Sequence, residues 1–336
     1  MNFVIVGTNF ISDTFLKAAL ITTNFNLYGL CSRKVSTANE FLNKYPEDNL
    51  QQTKIFTRIE DVCADKLVDA VYLASPNHLH APQAIMCLNA NIHVLGEKPS
   101  ASNTQELKQI IASAKRNKCL YMEALMTTHL PNFSVLQQQL PRIGKVRKFL
   151  GQYSQYSSRY DLYLKGDIPN WCRTEYANGA LVDIGIYPLG LITALWGKPT
   201  SILASGIKLA TGVDGAGDLI LTYNSADNAK QAVISYSKIC NGDNISEFQG
   251  ELGRIEIEFV ALLMKMTLTL NDGTKEIISK PFDDNSMRFE LQHFISLLEE
   301  GKTESPINSF EFSEKMMAVM DEARKQIQVV YPADEC

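Results

Sequence analysis

The 336-residue chain has no CxxC pair, and its seven cysteines (Cys31, Cys63, Cys87, Cys119, Cys172, Cys240 and Cys336) are odd in number and scattered. That spacing excludes a disulfide scaffold and the common zinc ribbons. The cysteines read as reduced thiols, most of them packing as small apolar side chains. Long runs of Lys or Arg are also missing: 32 basic against 37 acidic residues leave a formal charge of −5. Nucleic acid and anionic membrane surfaces, whose phosphates demand a positive field, are therefore not expected as partners. No apolar run reaches the ~18–20 residues of a membrane span. The opening Met1-Asn2-Phe3-Val4-Ile5-Val6-Gly7 lacks a basic start and meets a glycine after four apolar residues, so it reads as a buried strand and not a secretion signal. What is present, 45% hydrophobic and 21% charged residues, is the composition of ordinary globular domains. At ~100–200 residues per domain the length predicts two, and a cytoplasmic small-molecule enzyme or a protein-binding module remains.

Up to about residue 122, runs that are apolar throughout (3–6, 26–31, 68–74, 92–95, 119–122) alternate with segments of helical spacing (11–21, 35–45, 81–89, 103–116). Strands apolar on both faces and separated by helices predict a doubly wound parallel sheet with right-handed crossovers. Beyond 122 the pattern changes. A helix at 132–140, a strand at 146–155 and an irregular stretch through 171 lead to a helix at 179–196. Strand-like segments follow at 201–210, 218–223, 231–237, 247–249, 254–259, 264–270 and 276–278, with turn signals at Asn241-Gly242-Asp243 and Asn271-Asp272-Gly273. Helices at 286–300 and 309–330 close the chain. The prediction is an α/β domain over 1–122 followed by an α+β domain over 123–336 with a mainly antiparallel open sheet.

The first strand runs into Gly7-Thr8-Asn9-Phe10-Ile11-Ser12 and a helix, the context in which a glycine-rich loop and a helix N-terminus cradle a dinucleotide pyrophosphate. Asn9 stands at the second glycine position: it tolerates positive φ better than most residues but carries a side chain where the phosphate should approach. Taken alone, the segment is equally a plain strand-to-helix turn. After the second strand comes Cys31-Ser32-Arg33-Lys34, with no acid to hold a ribose 2′-hydroxyl; Arg33 and Ser32 suit a 2′-phosphate, so NADP is expected over NAD, the other reading being a solvated basic turn. Ser75-Pro76-Asn77-His78-Leu79-His80 and Gly96-Glu97-Lys98-Pro99 lie just past the carboxyl ends of strands, where ligands bind in such sheets. His78 and His80 have no third ligand at a familiar spacing, so no metal site is expected. In the second half Asp183 and Tyr187 are four apart and share a helix face, and Pro188 predicts a kink beside the tyrosine. An amphipathic helix with a tyrosine at its rim has the same pattern. Arg159, Trp171 and Arg173, in the irregular stretch, are candidate substrate contacts.

Together these segments resemble the Gfo/Idh/MocA oxidoreductases over nearly the whole chain. The carriers are the Gly7-Thr8-Asn9 loop, 68–77 with His80, Gly96-Glu97-Lys98-Pro99, Met122-Glu123-Ala124 and 179–187. Met122-Glu123-Ala124 and Tyr187 look most like the dimeric dihydrodiol dehydrogenase branch. The resemblance implies a Rossmann domain that binds NADP or NAD through Gly7, Thr8, Asn9, Phe10, Ile11, Ser32, Arg33, Lys34, Ser75, Pro76, Asn77, His80, Glu97 and Lys98. It also implies a second domain that binds substrate and forms a homodimer through its open sheet, and catalytic Lys98, Asp183 and Tyr187 converging on a substrate hydroxyl. The implied substrates are sugars, cyclic polyols or trans-dihydrodiols. Relatives usually have glycine at 9, often glycine at 178, and many have His at 187.

The implied reaction is reversible hydride transfer between nicotinamide and a secondary alcohol. A free tyrosine, with pKa near ~10, needs a neighbouring cation such as Lys98 to act as base at neutral pH. The rival class is a non-catalytic dinucleotide sensor on the same fold, for which the altered glycine loop argues.

Overall fold

A computed structural model describes residues 1–46, 50–225, 227–282 and 285–335. The chain divides into two compact units, Met1–Ala124 with Asp283–Phe310, and Leu125–Phe282 with Glu311–Cys336. Cys336 lies outside the described residues; of the other six cysteines, none is disulfide-bonded and Cys31, Cys87, Cys119 and Cys172 are buried.

In the first unit, strands β1 (Asn2–Val6), β2 (Asn26–Cys31), β3 (Lys54–Phe56), β4 (Ala70–Leu73), β5 (His93–Glu97) and β6 (Tyr121–Ala124) form a parallel sheet in the order β3-β2-β1-β4-β5-β6. Helices α1 (Phe10–Leu20), α2 (Val35–Leu42), α3 (Ile59–Ala64), α4 (His80–Asn89) and α5 (Thr104–Asn117) connect them. Phe3, Val4 and Ile5 of β1 and Val71, Tyr72 and Leu73 of β4 are wholly buried, which is why these strands read as continuous apolar runs. The strand order reverses between β1 and β4, so their carboxyl ends flank the crevice where such sheets bind ligands. Two elements escape the sequence pattern: β3 is only three residues long and α3 only six, too short for either periodicity to register.

The second unit contains α6 (Pro131–Gln139), β7 (Val146–Ser154), α7 (Tyr160–Leu164), α8 (Ile186–Trp196) and strands β8 (Ser201–Lys208), β9 (Asp214–Tyr223), β10 (Lys230–Ser237), β11 (Ile245–Gly250), β12 (Gly253–Glu258), β13 (Lys265–Leu270) and β14 (Lys275–Ile277). The eight strands are ordered β14-β13-β12-β11-β7-β10-β9-β8, antiparallel except for the β7–β10 pair. One face carries Leu219, Ile234, Phe149, Phe248, Ile255 and Leu268, all wholly buried. The other carries the cross-strand row Leu203, Ile220, Val233 and Leu150, partly open to solvent.

The Asn271-Asp272-Gly273 turn closes the β13–β14 hairpin, with Gly273 at φ 91°. Asn241-Gly242-Asp243 closes no hairpin: β7 runs between β10 and β11, so the strands this turn joins are not neighbours. Near the C-terminus α9 (Met287–Glu299) belongs to the first unit, where Phe294 meets Phe3 with ring centroids 6.2 Å apart. Helical amphipathy reports that a face is buried but not against which sheet, so a single division at 122 overlooks this return. Helix α10 (Phe310–Ile327) follows.

The expected kink at Pro188 takes the form of a π-helical turn, Leu181–Gly185, directly preceding α8. Pro188 has no N–H to donate, and a widened turn just before it absorbs the mismatch. The helical stretch Thr174–Trp196 is long and apolar enough to cross a membrane by length and composition, but 72% of its apolar window is buried in the fold, as in a core helix.

Candidate functional site

The nucleotide-facing half is assembled at the carboxyl ends of β1, β2, β4 and β5. Gly7 has φ 112°, and a Cβ there would sit 2.6 Å from the Ala74 carbonyl, so only glycine fits where β1 leaves beside β4. Asn9 does not use positive φ. At φ −83° it is the N-cap of α1: its Oδ1 accepts from the Ser12 amide (3.0 Å), and its Nδ2 donates to the Ala74 carbonyl (2.9 Å). The side chain thus folds back onto the protein, and the first-turn amides of Phe10 and Ile11, which have no intrahelical acceptor, remain for an anion. Thr8 and Ile11 are half-buried and Phe10 exposed along this turn.

At the end of β2, the Ser32 amide donates to Phe56 (2.9 Å), while Arg33 and Lys34 stand exposed with no ion pair among the described residues. Their charges are available to a phosphate.

Beyond β4, Ser75 Oγ donates to Gln83 Oε1 (2.7 Å), and Pro76 opens a short 3-10 turn, Asn77–Leu79. His80 is buried, with Nδ1 2.8 Å from the Pro99 carbonyl and Nε2 2.8 Å from the Ser75 carbonyl. The imidazole thus lies between the loop after β4 and the loop after β5, with a backbone carbonyl facing each ring nitrogen and its N–H donating to one of them. Burial pulls its pKa down, against the opposing pull of the two carbonyls. Among the described residues no three His, Cys, Asp or Glu side chains are grouped to hold a metal.

Lys98 is held through its neighbours. Glu97 is buried, accepting from Tyr72 Oη (2.6 Å) and the Lys98 amide (3.2 Å). Burial pushes its pKa up to about 7, opposed by the Lys98 charge and the Tyr72 hydroxyl. Two residues here were not singled out from the sequence. Glu123 accepts from the Ser100 amide (2.9 Å), fixing the backbone just past Lys98, and wholly buried Glu290 of α9 is pushed well up in pKa by burial first and then by Glu97. Glu123 carried a motif signal; Glu290 carried none.

The second half centres on the helix entered at Gly179. That residue has φ 157°, and a Cβ on it would meet Asp214 Oδ1 at 2.0 Å. Buried Asp214 accepts from the Leu181 amide (2.6 Å) and so caps the helix; burial pushes its pKa up to about 6. Between Gly179 and Thr193, Asp183 and Tyr187 alone are half-exposed, on the one face their spacing predicts. Asp183 Oδ2 accepts from Lys238 Nζ, and the ammonium lies over the Trp171 ring, 4.7 Å from its centroid. Tyr187 packs beside Tyr153 (5.8 Å between centroids), which meets Phe259 edge-on at 5.0 Å.

Trp171 is anchored in a cluster with Cys172, Leu209 and Val213. Arg173 instead engages Glu175 (2.9 Å) and the Ile168 carbonyl (3.1 Å), and Arg159 is exposed ahead of α7. Lys238 was missed from the sequence because an isolated lysine after an alternating strand gives no signal, and its partner lies 55 residues away.

Residues 1–125 match the family model described as an oxidoreductase family with NAD-binding Rossmann fold, and residues 140–256 match the GFO/IDH/MocA C-terminal domain. The chain is 41% identical to the scyllo-inositol 2-dehydrogenase (NADP(+)) of Bacillus subtilis, covering 100% of this chain and 99% of the relative. It is 27% identical to the trans-1,2-dihydrobenzene-1,2-diol dehydrogenase of Xenopus tropicalis, covering 96% of each. Among solved structures, a 3-ketoreductase from Actinomadura kijaniata in complex with NADP and TDP-benzene superposes with a TM-score of 0.85 at 21% identity, over 98% of this chain and 99% of that one.

Proposed function

The chain belongs to the Gfo/Idh/MocA oxidoreductase family, and on that premise we propose that it is an NADP-dependent dehydrogenase acting on a CH–OH group of a cyclic polyol. The observation that carries the reading is the helix after Gly179, buried as far as Thr193 except for Asp183 and Tyr187. A core helix that leaves only an acid and a phenol half-exposed on one face is arranged for chemistry on a hydroxyl.

The residues present fit NADP. Gly7 brings no side chain of its own to the turn, the α1 N-terminus offers amides to the pyrophosphate, and Arg33 and Lys34 suit the 2′-phosphate. When bound, the cofactor supplies the hydride acceptor. In this proposal the chain's own residues handle the proton: Tyr187 takes it from the substrate hydroxyl, and Lys98 donates to the developing carbonyl oxygen. Positioned proton transfer of this kind is typically worth about 10²–10⁴-fold. Asp183 accepts from a second substrate hydroxyl.

The sensor reading drew on the altered glycine loop, and an Asn9 that caps α1 no longer argues for it. The free thiols suit a reducing, cytoplasmic setting. A spectrophotometric panel tests the reading: NADP⁺ reduction should be seen with scyllo-inositol or another inositol, and less with trans-1,2-dihydrobenzene-1,2-diol. NADPH binding with no turnover on any of them would favour the sensor.

A further inference from the structure

We propose that Lys238 is a specificity-determining residue, which together with Asp183 reads a substrate hydroxyl other than the one oxidised and so selects a neutral, polyhydroxylated ring over a simple secondary alcohol. The proposal deepens the dehydrogenase reading and rests on it for the identity of the reacting hydroxyl.

Lys238 is fixed at its root. It directly follows β10, its amide donates to the Gly215 carbonyl (2.8 Å), and its own carbonyl accepts from the Ser157 amide (2.9 Å). Its side chain is only 11% exposed, against 35% for Asp183. The ammonium has three N–H donors. One goes to Asp183 Oδ2, the Trp171 ring faces the charge, and no other acceptor for Nζ exists among the described residues. The Trp171 indole N–H, in the same cluster, is also buried without an acceptor. Buried donors lacking partners carry a desolvation cost that a ligand oxygen would relieve.

Stability alone is a weak reason for this arrangement, because Lys238 gives up most of its hydration for an ion pair whose carboxylate is still a third exposed and screened by water. As a recognition device it has clear logic. The carboxylate accepts from a hydroxyl while the ammonium donates to one, so the pair matches the dual character of an alcohol. The charges cancel, so the pair gives no net attraction to a sugar acid or an amine. Trp171 takes part through Lys238: its ring is committed to the core cluster and holds the ammonium in place by a cation–π contact. A substrate with one hydroxyl leaves the pair without its ligand, which costs affinity in the way any unmatched buried polar site does.

The test compares wild type, Lys238→Met and Lys238→Arg with scyllo-inositol, trans-1,2-cyclohexanediol and cyclohexanol as substrates for NADP⁺ reduction. Lys238→Met should lose about tenfold or more in kcat/KM for the cyclitol, mainly through KM, as expected for one charge-assisted hydrogen bond. The same variant should change cyclohexanol turnover by less than about threefold, leave the NADPH Kd unmoved, and be partly rescued by Lys238→Arg. Equal losses on all three substrates, or no loss on the cyclitol, would overturn the proposal. If wild type oxidises none of the three, the dehydrogenase reading fails separately. Lys238 is then judged by scyllo-inositol binding read from tryptophan fluorescence: binding lost in Lys238→Met upholds it, and equal binding or none in wild type overturns it.

Discussion

Asn9 and Lys238 mark the two limits of reading single residues from a sequence. Asn9 sits in a loop whose glycine pattern is recognisable, yet its role depends on an amide three residues ahead and a carbonyl at residue 74. A cap is a local property and was within reach; the tie to Ala74 was not. Asp183 and Tyr187 were legible because helical spacing alone puts them on one face. Lys238 was not, because its meaning comes entirely from a contact across 55 residues. The basic pair after β2 yields a prediction at this scale. Arg33 and Lys34 have no ion-pair partner among the described residues, so replacing both by alanine should weaken NADPH binding by about tenfold or more while leaving NADH nearly unchanged. Parallel fluorescence titrations measure this, and equal weakening of both nucleotides would assign the pair to the shared part of the cofactor.

At the scale of elements, the crevice is held by loops clamped from beneath. His80 bridges the loops after β4 and β5, and Glu97 and Glu123 bracket the backbone on either side of Lys98. The positions of these loops followed from the strand and helix pattern; the clamps did not, since motif spacing is silent on which side chains turn inward. Burial of Glu97 has a measurable consequence. The folded chain keeps its proton up to about pH 7, whereas an unfolded chain releases it near 4.5, so between those values the folded state binds more protons. Unfolding free energy from this group therefore falls as pH rises through that window, by roughly 3 kcal/mol in all. Urea denaturation at pH 5 and pH 7 should show this slope in wild type and a shallower one in Glu97→Gln, which keeps an acceptor for Tyr72, the remainder coming from the other buried carboxyls Asp214 and Glu290. An unchanged slope in the variant would place the titration elsewhere.

For the molecule as a whole, composition and alternation were enough to announce a doubly wound sheet followed by a mainly antiparallel one. They did not reveal that α9 returns to the first unit or that β7 runs parallel to β10, because both are long-range pairings with no local signature. The outer face of the second sheet bears on assembly. Leu203, 63% exposed, stands in register with Ile220, Val233 and Leu150, an apolar row on an open face. We propose that a second copy of the chain covers it. Light scattering coupled to gel filtration should give a dimer for wild type and a monomer for the Leu203→Glu, Val233→Glu double variant; a monomeric wild type would remove the proposal.

Proton transfer by Lys98 and Tyr187 on a substrate hydroxyl, as proposed above, is decided by the kcat of Lys98→Met and Tyr187→Phe with the polyol that wild type oxidises. Each variant should fall at least about 100-fold with NADPH binding retained. Near-full turnover in both variants would contradict it.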